Sequence, residues 1–158
     1  MRKLLTLIII IFSIGATNIP VSREWQKAGF GGGGTYPMIT PDNTVPGLLY
    51  MASDVAGNFK SVTAGEQWEF MNVGTTTILN TAIVQSVSDP NVLYSIGRKL
   101  IKSVNGGRSW DTLGNYSTNR PNTYKCIVVD RTNANIFYFA TTNGKIYKST
   151  DGGINIVE

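Results

Sequence analysis

Three copies of one short pattern, set at a constant interval, constrain this chain more than any other feature. They read Ser61-Val-Thr-Ala-Gly65-Glu-Gln-Trp68, Ser103-Val-Asn-Gly-Gly107-Arg-Ser-Trp110 and Ser149-Thr-Asp-Gly-Gly153-Ile-Asn-Ile156. Before each copy a hydrophobic run ends in tyrosine, at Tyr50, Tyr94 and Tyr138, a spacing of 44 both times. A fixed period of that length marks a repeat architecture in which each unit buries its faces against its neighbours.

Each unit can be taken strand by strand. A short apolar run comes first: Met38-Ile39, Ile83-Val84 and Cys126 to Val129. Turn chemistry follows at Pro41-Asp42-Asn43, Ser88-Asp89-Pro90-Asn91 and Asp130-Arg131-Thr132-Asn133, residues that cap their own backbone or fix φ. The second strand holds Leu48-Leu49-Tyr50, Val92-Leu93-Tyr94 and Ile136-Phe137-Tyr138, suited to a half-buried pleated surface. The third, at Asn58 to Lys60, Leu100 to Lys102 and Lys145 to Lys148, runs into the Ser-x-x-x-Gly turn, and the fourth leaves at the tryptophan. The expected fold is all-β, with propeller blades of four antiparallel strands near 35–78, 79–122 and 123–158. Three blades make an incomplete propeller, since closed rings have roughly four to eight. The expectation is therefore a fragment whose C-terminal blades are missing. The shared repeat position makes Tyr50, Tyr94 and Tyr138 expected core residues.

The repeated turn resembles the Asp-box, or bacterial neuraminidase repeat, with the form Ser/Thr-x-Asp-x-Gly-x-x-Trp on the hairpin between the third and fourth strands of a blade. The third-position Asp or Asn can accept backbone N–H bonds, the glycine takes a conformation costly for other residues, and the Trp packs beneath the hairpin. This chain departs from the full form at Thr63, Asn105 and Ile156. In propellers of this kind the box is peripheral, so its Ser, Asp and Trp are structural rather than catalytic.

At the N-terminus, Arg2-Lys3, the apolar run Leu4 to Ile14 and Gly15-Ala16 have the character of a secretory signal peptide. The run of eleven residues falls short of the roughly 20 needed to span a bilayer, so the expected product is secreted, extracellular or periplasmic, without stable membrane insertion. Losing residues 1–16 removes Arg2 and Lys3 and lowers the net charge from +4 to +2. With no basic stripe, nucleic acid is not an expected partner. The chain has no histidine and one cysteine, which leaves nothing from which to build a transition-metal site or a Ser-His-Asp triad; no metal or cofactor is expected. Cys126 reads as a small buried hydrophobe. The glycine run Gly31 to Gly34 lacks the Gly-Lys-Ser/Thr ending of a phosphate loop and reads as closely packed backbone in the segment 17–34. Trp25 is expected in an N-terminal strand that closes the ring.

From Ala28 to Trp68 the order is a glycine run, Thr35-Tyr-Pro-Met-Ile-Thr-Pro41, then Leu48-Leu-Tyr50-Met-Ala-Ser-Asp54-Val-Ala-Gly57. This resembles the start of the catalytic region in xyloglucanase-type glycoside hydrolases of family 74, where a Leu-Ile/Leu-Tyr strand leads into Thr/Ser-Asp-Val/Met-Gly-Gly. Here Ala56-Gly57 stands for the two glycines. The resemblance implies a polysaccharide or oligosaccharide substrate, a β-glucan such as xyloglucan, and makes Asp54 a catalytic residue, the general base. Two carboxyl groups are needed for this hydrolysis, and in the family the acid comes from a second propeller downstream. The same residues also fit a type I turn with Asp first and Gly fourth. Two other readings remain: a non-catalytic propeller like the sortilin-type receptors or photosystem assembly factors, and a sialidase. The last is weakened because Tyr36-Pro37-Met38-Ile39 lacks the arginine of a sialidase start.

Overall fold

Short turns between consecutive extended runs force neighbouring strands to pair antiparallel. The computed structural model describes residues 34–117, 127–141 and 144–158, and in them three such sheets form. The expected signal peptide, Trp25 and Cys126 lie outside the described residues. The first sheet has the order β1 (Met38–Pro41), β2 (Leu49–Ser53), β3 (Gly57–Ser61) and β4 (Glu69–Phe70). The second repeats it with β5 (Asn80–Gln85), β6 (Leu93–Gly97), β7 (Lys99–Ser103) and β8 (Asp111–Ser117). The third contains β9 (Ile127–Val129), β10 (Phe137–Ala140) and β11 (Ile146–Ser149), with one further bridge between Lys148 and Val157 where a fourth strand would start.

Register repeats as well as order. Tyr50 pairs with Thr40 and Lys60, Tyr94 with Val84 and Lys102, and Tyr138 with Val128 and Lys148. Because side chains alternate across a strand, each sheet has a front and a back, and the sheets stack front to back. Tyr50 and Ala52 on the back of the first sheet meet Ile83, Leu93, Ile101 and Trp110 of the second. Tyr94 and Ile96 on the back of the second meet Ile127, Phe137 and Phe139 of the third. The Tyr94 and Phe137 rings lie 4.5 Å apart, within the range of favourable aromatic pairs.

The expectation for the three tyrosines holds twice and fails once. Tyr50 is 2% exposed and Tyr94 0%, whereas Tyr138 is 37% exposed. Its register is that of the other two; the difference is that no described sheet lies over the back of the third.

Candidate functional site

The two ends of the sheets carry different chemistry. At one end are the β1–β2 type turns and the three Ser-x-x-x-Gly turns, which share a single hydrogen-bond plan. The hydroxyls of Ser61, Ser103 and Ser149 each accept the N–H of the glycine four residues on, at 2.9 Å every time. The third residue accepts the N–H four residues beyond itself: Asn105 Oδ1 from Ser109 and Asp151 Oδ1 from Asn155, both at 2.9 Å. Thr63 does the same through its hydroxyl, with Gln67 N–H at 2.8 Å. A hydroxyl thus substitutes for the carboxylate. The Asn155 backbone and side-chain N–H groups hold the Asp151 carboxyl at about 2, which marks a turn-building acceptor and no acid or base poised near neutrality.

At the same end Asp42 joins two sheets. Its Oδ1 accepts the N–H groups of Thr44 and Val45, and its Oδ2 accepts the Tyr50 hydroxyl at 2.8 Å and Gln85 Nε2 of the second sheet at 2.6 Å. Burial pushes this carboxyl up, but the bonds from Thr44, Val45 and Tyr50 outweigh it and hold it at about 2. Burial, with the nearby Asp42, pushes the Tyr50 hydroxyl well above its usual range. Gln85 had no signal in the sequence, because its value depends on which turn it faces across the sheet boundary.

Asp54 lies at the opposite end, on the turn between β2 and β3. Its Oδ1 accepts the Thr35 N–H at 2.7 Å, and its own N–H donates to Thr35 O at 3.2 Å, a two-way clasp. Among the described residues its second oxygen makes no hydrogen bond. Gly34 explains the end of the glycine run: a Cβ there would stand 2.6 Å from Asp54 Oδ1 and 2.4 Å from Val55 Cγ2. The run is closely packed at this residue, and Gly31 to Gly33 lie outside the described residues.

The type I turn does not close as expected. Gly57 N–H donates to Ile78 O of the following linker at 2.7 Å, not back to Asp54. Asn72 fixes the turn from the other side: its Nδ2 donates to Ala56 O at 2.8 Å and its Oδ1 accepts Asn58 N–H at 2.9 Å. Asn72 also escaped sequence reasoning, since an Asn in a linker carries no pattern of its own. Of the other described carboxylates, Asp42, Glu66, Asp89, Asp130 and Asp151 sit in turns at the far end. Glu69 and Asp111 pair across from Lys60 and Lys102, and Glu158 is paired with Lys145. The described residues place no second carboxylate beside Asp54, and they contain no group of three or more residues able to hold a metal ion.

The front of the first sheet forms an apolar groove of about 480 Å³, lined by residues including Ile39, Leu49, Met51, Phe59 and Trp68. Asp54 is not in its lining. The groove reaches the Asp54 turn only at Ala56.

No family model matches this sequence, and no curated protein matches it. Solved structures do match. An ancestral GH74 enzyme superposes with a TM-score of 0.67 at 22% identity, over 84% of this chain and 19% of its own. The GH74 xyloglucanase from Xanthomonas campestris gives 0.69 at 19% identity, over 85% of this chain and 22% of its own. YCF48 from Cyanidioschyzon merolae gives 0.58 at 19% identity, over 75% of this chain and 35% of its own. The chain spans about a fifth of the length of the two GH74 enzymes. At these identities the likeness is one of fold, and the three sheets are blades of a β-propeller.

Proposed function

We propose that this chain is the N-terminal part of a secreted glycoside hydrolase that cleaves a β-glucan such as xyloglucan, with Asp54 as the general base. The observation that carries the reading is the state of the Asp54 carboxylate. One oxygen is fixed by the Thr35 N–H at 2.7 Å, while the other is unused among the described residues and sits at the sheet end opposite the structural turns. A base needs both properties: an anchored plane and a lone pair left for the water it activates. The acid partner comes from elsewhere in the assembled enzyme, since an inverting pair stands roughly 6.5–9.5 Å apart. Export through residues 1–16 suits an enzyme that meets polysaccharide outside the cell.

Asp54→Asn in the complete reading frame is the decisive variant. An amide oxygen can still accept the Thr35 N–H, so the clasp survives while the base is lost. Reducing ends should be released from xyloglucan by the parent and fall by about 100-fold or more in the variant. A variant as active as its parent, or a folded parent that releases nothing from any β-glucan, removes Asp54 from the mechanism.

A second reading has its own observation. The apolar groove and the likeness to YCF48, solved also in a form bound to D1 peptide with a TM-score of 0.59, favour a propeller that binds or assembles protein rather than one that cuts sugar. An inactive parent would leave that reading in place.

A further inference from the structure

The first and second sheets meet through the same elements as the second and third, yet one junction is closed and the other open. At the closed one, Lys102 Nζ lies 5.5 Å from the Tyr94 ring centroid and reaches Asn135 Oδ1 at 3.4 Å and Gly152 O at 3.3 Å. The Tyr94 hydroxyl donates to Ala134 O at 2.9 Å. Register and one backbone bond identify the matching residues of the first junction. Lys60 pairs with Tyr50 as Lys102 does with Tyr94, and Gly106 N–H donates to Asn91 O as Gly152 N–H does to Asn135 O, both at 2.9 Å.

In the first junction the partners are rearranged. The Tyr50 hydroxyl turns to Asp42 Oδ2 at 2.8 Å, and Gln85 Nε2 takes Pro90 O at 3.0 Å. The glycines report the result: a Cβ on Gly152 would stand 2.5 Å from Lys102 Nζ, whereas one on Gly106 would meet no atom within 4 Å. A cleft of about 480 Å³ opens here, lined by residues including Asp42, Tyr50 and Lys60 of the first sheet and Asn91, Gly106 and Arg108 of the second. Among the described residues neither the Lys60 ammonium nor the Arg108 guanidinium makes a hydrogen bond or ion pair. Glu69 stands opposite Lys60 in register without bridging to it. Asp42 is already engaged, its Oδ1 by Thr44 and Val45 and its Oδ2 by Tyr50 and Gln85. Two cations against this one carboxylate leave the lining with a single net positive charge and two sets of unused donors.

We propose that this cleft binds one carboxylate group carried on a small polar molecule such as a uronic acid, with Lys60 and Arg108 as its donors. A guanidinium meets a carboxylate in a two-bond fork, and an ammonium adds a compact point charge. One net positive charge suits a monoanion better than a dianion such as free phosphate. The cleft volume falls in the range of small-molecule sites, roughly 300–1,000 Å³, so the ring that bears the carboxylate also has room. The site lies at the sheet end away from Asp54 and is independent of any role for that residue.

Isothermal titration calorimetry on the product of the complete reading frame tests it, with sodium glucuronate, glucose, acetate and inorganic phosphate as separate ligands. Glucuronate should bind saturably, more weakly as sodium chloride is added, and glucose should not bind. Acetate supports the site at either strength: weaker than glucuronate, it assigns the ring a share, and equal to it, the carboxylate alone. Lys60→Met and Arg108→Gln alter side-chain heads that have no partner among the described residues, so each should fold, as circular dichroism can confirm. Each should weaken glucuronate binding by about tenfold or more. Asp54→Asn should bind glucuronate as the parent does, which separates this site from the proposed hydrolysis. The proposal is overturned by the absence of saturable glucuronate binding, by glucose binding equally well, by phosphate binding more tightly, or by either cleft variant binding like the parent.

Discussion

Trp68 and Trp110 occupy one position in one repeated pattern, yet they live in different surroundings. Trp110 is 2% exposed beneath the back of the first sheet, with Tyr50 and Met71 in the same cluster. Trp68 is only partly buried in the open groove. Their indole N–H groups show the converse: Trp68 Nε1 donates to Gly65 O at 3.0 Å, while Trp110 Nε1 has no partner among the described residues. Removing about 200 Å² of ring from water is worth on the order of 5 kcal/mol, and an unpaired buried donor costs about 1–3 kcal/mol. Burial wins at Trp110. The motif determines the turn, and the neighbouring sheet determines what its tryptophan is worth.

The largest expected effect follows directly. Trp110→Ala should destabilise the chain by about 3–5 kcal/mol, read from urea unfolding. Trp68→Ala should cost about 1–2 kcal/mol, because its ring is only partly buried in the groove. Equal losses would break the comparison and show that the groove is covered within one chain.

The junction between the first and second sheets supplies the next test. Asp42 has its pKa lowered from 3.8 to about 2, so its contribution is whole above pH 3.8 and is lost as pH falls through about 2. Ser86 takes the Asp42 place at the second-to-third junction, as its N–H to Val92 O matches Asp42 N–H to Leu48 O, and it carries no charge. Asp42→Asn should cost about 2 kcal/mol at neutral pH. It should also flatten the part of the urea-midpoint curve between pH 4 and 2 that belongs to the first junction. A curve of unchanged steepness would assign the acid sensitivity to other carboxylates.

The smallest effect compares the first turn with its two copies. Ala64 has φ +54°, where Gly106 and Gly152 have +67° and +74°. A side chain in this region is strained, so Ala64→Gly should raise stability by about 1 kcal/mol or less. A loss on thermal unfolding would mean that the Ala64 methyl group makes up for its backbone.

Much of the architecture could be read from the chain. Strand placement followed from the apolar runs, and the turn plan from Ser61, Ser103 and Ser149. Asp42 and Asp130 behave as local caps, accepting N–H groups two and three residues on. These features are local: donor and acceptor lie within four residues, so sequence spacing is a sufficient guide. The errors were all non-local. The Asp54 turn gave its closing N–H to Ile78 O, and Tyr138 lacked the cover given to Tyr50 and Tyr94.

The Asp54 site divides along the same line. A glycine run followed by Ser53-Asp54 could be seen in the sequence, but the clasp to Thr35 and the brace from Asn72 could not. By itself, then, the sequence determined the period, the strand order, the antiparallel pairing and the hydrogen bonds of each turn, since these depend on residues that are neighbours in the chain. Which tryptophan is buried, which tyrosine is exposed, which carboxylate bridges two sheets and which keeps an oxygen unused among the described residues were decided only in the tertiary structure. Those properties depend on what a neighbouring sheet removes from water, and one strand cannot record what will pack against it.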